Sequence, residues 1–205
     1  MEQALSRQAN SRPGRPRAFD QDKVLNDAIT LFSRKGYSAS SVADISQALK
    51  LTIGSIYKAF GDKRGLFTAA LQRYVEQRYE RTSAALRAAP NGRERVRGFL
   101  LEYADLSHGE AGRTGCLVVA TAVEFGACDP ELAQNVALLL EAREKSLRRF
   151  IEEGQTDGSI GRQIDAQTAA RALLCMAQGM RVLGKTGRTR AEMIEVAEQA
   201  MRILD

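Results

Sequence analysis

The sequence predicts an all-α protein of nine helices, with a small N-terminal helix-turn-helix unit and a larger helical unit behind it. Three observations carry this. Apolar residues recur at helical spacing along nearly the whole chain, and residues that cap helix starts precede those stretches. No segment alternates long enough for a strand; Val118-Val119 comes nearest and is too short. At 205 residues the chain has room for one large domain, or one plus a small module. Its 44% apolar and 27% charged residues exclude a wholly disordered chain. No apolar run approaches the roughly 18 residues of a bilayer span, so no membrane partner is expected. Arg7, Arg12, Arg15 and Arg17 have no apolar stretch behind them, which argues against a secretory signal. Three widely spaced cysteines, an odd number, fit a reducing cytoplasm better than a disulfide framework. The lone His108 makes a histidine-rich metal site impossible, and no cofactor or metal is expected.

The elements follow in order. Residues 1–18 are polar and contain Pro13 and Pro16, and read as a disordered basic arm. Asp20 caps a first helix carrying Val24, Leu25, Ala28, Leu31 and Phe32, which Gly36 ends. Ser41 and Asp44 have capping-box spacing ahead of Ile45 and Leu49. Thr52 caps a short helix with Ile53, Ile56, Tyr57 and Phe60, and Asp62 caps the next, through Leu66, Phe67, Ala70, Leu71 and Tyr74. Pro90-Asn91-Gly92 is a break. A helix through Val96, Phe99, Leu100, Tyr103 and Leu106 follows, then a loop marked by Gly109, Gly112 and Gly115. Residues 116–125 are apolar almost all round and read as a buried helix. Asp129-Pro130 opens a long helix expected to stop at Gly154, with a turn at 156–159. Asp165 starts a helix to Gly184. Thr189 and Glu192 form a second capping box ahead of Met193, Ile194, Ala197, Met201 and Leu204.

Charge is unevenly spread. Residues 1–65 hold eleven Lys/Arg against six Asp/Glu, a net of +5, whereas residues 66–205 hold nineteen of each. A basic segment beside a neutral body suggests a module for a polyanion, although a solvated basic tail has the same composition. Between the two short helices of residues 41–60 the linker Lys50-Leu51-Thr52 is only three residues long. That is helix-turn-helix spacing, in which the second helix enters the DNA major groove. An ordinary helical hairpin would share it. Val42, Ile45 and Leu49 are expected to brace Ile53 and Ile56, leaving Thr52, Gly54, Ser55, Tyr57 and Lys58 outward.

These residues resemble a family. Ser40-Ser41-Val42-Ala43-Asp44-Ile45, then Leu51-Thr52-Ile53-Gly54-Ser55-Ile56-Tyr57-Lys58-Ala59-Phe60, then Lys63, Leu66 and Phe67, are similar to the TetR-type regulators over residues 20–67. The remainder matches in helix number, order and length. The resemblance implies a TetR-like division: the arm at 1–18, a DNA-binding domain at 19–65, and a ligand-binding and dimerisation domain at 66–205. It implies a homodimeric repressor released from a palindromic operator in double-stranded DNA by a small-molecule effector. By position it implies phosphate contacts from Ser40 or Ser41, Thr52, Tyr57 and Lys63, and base-edge contacts from Ile53, Gly54, Ser55 and Lys58. Three positions depart from the pattern. Lys50 stands where a turn glycine is usual and could itself reach a phosphate; Ala59 replaces a frequent aromatic, and Arg64 a frequent acidic residue. Arg15 and Arg17 belong to a Gly-Arg-Pro stretch that looks like a minor-groove AT-hook, or serves as a tail adding only non-specific affinity.

For the larger unit, the candidate effector-lining residues are Phe99, Tyr103, Leu106, Cys116, Val119, Val123, Leu139, Phe150, Cys175 and Met176. The last two helices, near 166–183 and 190–204, resemble a dimer-forming pair; Ala169, Ala172, Ala177 and Gly179 are the small residues expected to permit close approach. Cys116, at the start of a short apolar helix, is a candidate trigger for an electrophile or oxidant, because a helix N-terminus stabilises a thiolate; the alternative is a buried small hydrophobe. No P-loop or Ser-His-Asp arrangement points to an enzyme. A different class, a helical small-molecule-binding protein without DNA function, remains open at this level.

Overall fold

The computed structural model describes residues 20–125 and 129–205, apart from the side chains of Thr82 and Ala84. Arg15, Arg17 and Cys128 therefore lie outside the described residues. Ten α-helices and no strand occur among the described residues: α1 (Gln21–Lys35), α2 (Val42–Leu49), α3 (Ile53–Phe60), α4 (Lys63–Ala88), α5 (Gly92–Leu106), α6 (Gly109–Thr114), α7 (Leu117–Phe125), α8 (Pro130–Asp157), α9 (Ala166–Leu183) and α10 (Arg190–Ala200). Nine are the expected helices. The tenth, α6, is a six-residue turn of helix in the segment read as a glycine loop.

The capping residues do what their chemistry predicts. Asp20, Thr52, Asp62, Asp129 and Asp165 each accept a hydrogen bond from a backbone N–H in the first turn of the helix they precede. Ser41–Asp44 and Thr189–Glu192 both close reciprocal capping boxes. Each such cap offsets an otherwise unpaired N–H and contributes about 1 kcal/mol.

Two apolar clusters hold these helices. One joins α5, the C-terminal half of α8, α9 and α10 around Phe99, Leu100, Leu147, Ile151, Leu173 and Ala177. The other joins α1, α2 and α3 to the first turns of α4, to α7 and to the start of α8. Thus α4 crosses the 65/66 border: Leu66, Phe67, Ala70 and Leu71 are buried with Phe32, Ile45 and Ile56. At the centre are four rings. Phe32 meets Phe67 edge to face at 5.0 Å, and Tyr37 meets both Phe67 and Phe125 at 5.1 Å.

One helix end departs from expectation. Gly154 does not stop α8, which continues to Asp157 and ends at Gly158 in a left-handed conformation. Gly154 serves close packing instead. A Cβ added at Gly92 would lie 2.1 Å from the Gly154 nitrogen and 2.4 Å from the Phe150 carbonyl oxygen, so α5 starts directly on the α8 backbone. Gly92→Ala must push the two helices apart. It should lower unfolding free energy by about 2–3 kcal/mol in denaturant titration, and an unchanged midpoint would refute this packing.

Candidate nucleic-acid interface

Helices α2 and α3 are rigidly seated but expose most of α3. Ile45 and Leu49 of α2 and Ile56 of α3 are buried at 4% exposure or less. Of the eight residues of α3, Ile56 alone is fully buried; Phe60 is half-buried, and Ile53, Gly54, Ser55, Tyr57, Lys58 and Ala59 are exposed. Ile53 at 44% and Tyr57 at 37% stand one helical turn apart as large apolar groups facing water. Nothing lies within 4 Å of the position a Cβ would take on Gly54, so its backbone is open to close approach. At the start of α3 the Thr52 and Ser55 hydroxyls are 2.9 Å apart, with no acidic residue in the first turn. That terminus combines free N–H groups, two hydroxyls and a favourable dipole, which is chemistry suited to a phosphate.

Lys50 ends α2 with φ 54°, the left-handed conformation in which a side chain costs roughly 1 kcal/mol relative to glycine. It is exposed beside the turn. Two expected phosphate contacts are placed differently. Ser40 is fully buried, its hydroxyl donating to the Gly36 carbonyl at 2.6 Å; of the pair Ser40 and Ser41, the structure keeps Ser41 at the surface. Lys63 is half-buried, its ammonium 4.2 Å from the centre of the Tyr37 ring. Arg64 is occupied by Asp129 and Glu131 at the start of α8.

The interface is wired to the larger unit by polar contacts that periodicity does not reveal. Glu124, in the last turn of α7, accepts hydrogen bonds from the backbone N–H groups of Tyr37 (2.8 Å) and Ser38, which lead into α2. Arg34 of α1 pairs with Glu110 of α6. Burial alone would raise the Glu124 pKa, but the Ser38 hydroxyl, the two N–H groups and the Lys63 charge outweigh it and hold the carboxyl below its usual value.

The expected effector-lining residues do not gather in one cavity. Phe99 and Phe150 line a cavity between α4, α5 and α8; Tyr103 and Leu139 line a much smaller inner one. Leu106 faces a groove on the other side of α4 and α5. Val119 is half-buried in α7, while Val123 is 82% exposed. Cys175 and Met176 lie on the outer side of α9, Cys175 exposed and Met176 in a groove with Leu183, Met193 and Val196. A helix that is apolar all round, such as α7, carries no sequence signal for which side turns inward.

Cys116 is buried, immediately before α7. The Tyr74 hydroxyl donates to its Sγ at 3.3 Å. Burial pushes the thiol up, yet the Arg78 and Arg181 guanidiniums and the Tyr74 bond outweigh it and hold it below its ordinary value. Burial and the Cys116 charge in turn push the Tyr74 hydroxyl up to about 12. Sequence reasoning missed both arginines. Each sits in core register, Arg78 after Leu71 and Tyr74 on α4, and Arg181 after Leu174 and Ala177 on α9. An arginine on an apolar stripe is the signal that was available.

A braced helix pair with one exposed polar helix, a basic turn and an open helix N-terminus defines a helix-turn-helix DNA-binding protein. Residues 24–70 match the family model "Bacterial regulatory proteins, tetR family", and residues 92–201 match "Tetracyclin repressor-like, C-terminal domain". The chain therefore belongs to the TetR family of DNA-binding transcriptional regulators. It is 26% identical over 191 residues to the HTH-type transcriptional repressor ComR of Escherichia coli (strain K12), covering 93% of this chain and 91% of that one. It is 44% identical over 63 residues to the repressor BdcR of the same organism, a match covering 31% of this chain and 32% of that one. Among solved structures it superposes with TM-score 0.81 and 31% identity on a cysteine mutant of the TetR family regulator CifR complexed with 26-bp double-strand operator DNA, covering 92% of this chain and 98% of that one.

The Glu124 contact has a testable pH signature. A carboxyl held low in the folded state contributes stability above its unfolded value, about 4.3, and loses it as pH falls through the lower folded value. Glu124→Gln should cost about 1 kcal/mol near pH 7. In denaturant titrations the gap from the parent protein should close as pH drops below about 4; a gap that stays constant well below that pH would contradict the geometry.

Proposed function

We propose that the protein is a homodimeric repressor that binds a palindromic operator through α3 of each subunit and is released by a small-molecule effector in the larger unit. The observation that carries this reading is α3 itself: one fully buried residue anchors it, and the rest of its surface faces outward. Lys50, Ser41, Thr52 and Tyr57 supply phosphate contacts, and Ile53, Gly54, Ser55 and Lys58 face base edges. The operator complex of CifR, a relative of nearly the same length, supports this. Dimerisation is supported by the outer side of α9, where Val182 (52%), Leu183 (44%) and Cys175 are exposed and Ala172, Met176 and Gly179 are half-buried. Ala169 and Ala177 are buried in the protein's own core, so of the expected small residues only Ala172 and Gly179 serve such an interface. A two-fold dimer sets its recognition helices one DNA turn, about 34–36 Å, apart.

Selection from random DNA with the purified protein, then footprinting, should return an inverted repeat protected at two half-sites about one helical turn apart. Tyr57→Ala should weaken that site at least tenfold while leaving the thermal unfolding midpoint within a few degrees. No enriched repeat, or a variant that binds as tightly as its parent, would defeat the reading.

A second reading, favoured by Tyr74, Arg78 and Arg181 converging on Cys116, is that this thiol is itself a trigger. Its thiolate electron pair would form a bond to an electrophilic carbon and expel a leaving group. The Tyr74 bond would be lost and α7, which begins at the next residue, would shift. With Cys128 and Cys175 replaced by serine, iodoacetamide should alkylate Cys116 with release of iodide. The rate midpoint should lie below the roughly 8.5 of an ordinary thiol and rise in Arg181→Gln. A midpoint at or above 8.5 would discard this reading.

A further inference from the structure

We infer that the cavity between α4, α5 and α8 takes an organic anion with an apolar body, and that Arg87 and Arg143 select for its negative charge. This rests on the effector reading above and names the effector's class. The cavity has a volume of about 350 Å³, at the small end of ligand sites, which run from roughly 300 to 1,000 Å³. Phe99, Phe150 and Leu86 make an apolar floor. Around it stand four arginines, Arg87, Arg95, Arg143 and Arg149, against a single carboxylate, Glu153.

That carboxylate is already committed. Glu153 accepts from Arg95 and lies 3.8 Å from Arg149. Among the described residues neither Arg87 nor Arg143 has a carboxylate within ion-pair distance. Glu102, whose charge Arg143 also feels, is paired with Arg78 at 3.4 Å. The Nε of Arg95 is buried with no hydrogen-bond partner among the described residues. Like charges crowded around a concave apolar floor raise one another's potential, and an incoming anion relieves it. The planar guanidinium fork suits a carboxylate, sulfonate or phosphate.

The neighbouring groove carries the opposite balance of charge. On the other side of α4 and α5, a groove of similar volume, about 390 Å³, shares Leu86 but is lined by Glu94, Glu102 and Asp105 against Arg81. Arg143 also reaches the inner cavity beside Arg78, Tyr103 and Gln178. At about 30 Å³ that space admits about one water-sized group. The ligand body therefore occupies the outer cavity, its charge at the Arg143 end.

The test uses the full chain without DNA, with 8-anilinonaphthalene-1-sulfonate as fluorescent probe, and compares displacement by octanoate and by octanol. Octanoate should compete at least roughly tenfold better than octanol. Arg143→Gln and, separately, Arg87→Gln should each weaken octanoate roughly fivefold or more while moving octanol less than twofold. Arg87 is exposed near the end of α4, so its variant leaves the core undisturbed. Octanol competing as well as octanoate, or octanoate unaffected by both substitutions, would overturn the inference. Because binding is read without DNA, octanoate that follows this pattern yet leaves the operator footprint intact would defeat effector release and leave the anion site standing.

Discussion

The edge-to-face contacts of Phe32, Tyr37, Phe67 and Phe125 fix where the DNA-binding helices sit, because they join residues from α1, the loop after it, α4 and α7 in one cluster. Helices α1 to α3 are too short to bury a core alone; a unit of fewer than about 50 residues is marginal without help. The help comes from Leu117, Val118, Leu132 and Val136, all in α7 or α8. The orientation of α3 is thus set by contacts its own segment does not contain. Anchored by one buried residue, α3 takes its position from α2 and α4, which are themselves packed into the cluster with α7 and α8.

Polar groups reinforce the same junction. Glu124 holds the backbone leading into α2, Arg64 holds the start of α8, and Arg34 reaches α6. All three contacts land on α6, α7 or the first turn of α8. Cys116 with Tyr74, Arg78 and Arg181 lies at the opposite end of α7 from Glu124. The anion cavity meets this region through Arg143, which also faces the inner space beside Arg78 and Tyr103. Two chemically distinct inputs, a bound anion and a modified thiol, would thus act on the same pair of short helices.

Local chemistry was legible in the sequence and long-range chemistry was not. Caps and capping boxes could be read because their partners lie three residues away, as with Thr52 and Ser55 or Thr189 and Glu192. The exposed side of α3 could be read only in part: Gly54, Ser55, Tyr57 and Lys58 face outward as expected, but Ile53, expected to be braced with Ile56, is 44% exposed, because periodicity does not say how far a neighbouring helix extends over an apolar position. Gly154 was misread because a glycine late in a helix looks like a terminator, and only the approach of Gly92 shows its purpose. Val123 and Cys175 were misplaced because apolarity identifies burial somewhere, not the side on which a helix is covered; on α9 the uncovered side is itself apolar. Glu124 and Tyr37 are 87 residues apart, and no spacing rule connects them.

Under the proposed effector release, short α6 and α7 suffice energetically as the link. Coupling between an effector site and a DNA site is typically about 1–3 kcal/mol. A charged carboxylate serving two backbone N–H groups near a surface is of that order. Losing one such contact can therefore change operator affinity by about tenfold without remodelling either core. Close packing supplies the rest. The ring cluster is too tight to deform gradually, so under the proposed release a displaced α7 would move α1 to α3 as a body. In a dimer, a small rotation of each such body changes the spacing of two recognition helices, and the DNA, with its fixed repeat, reads that spacing.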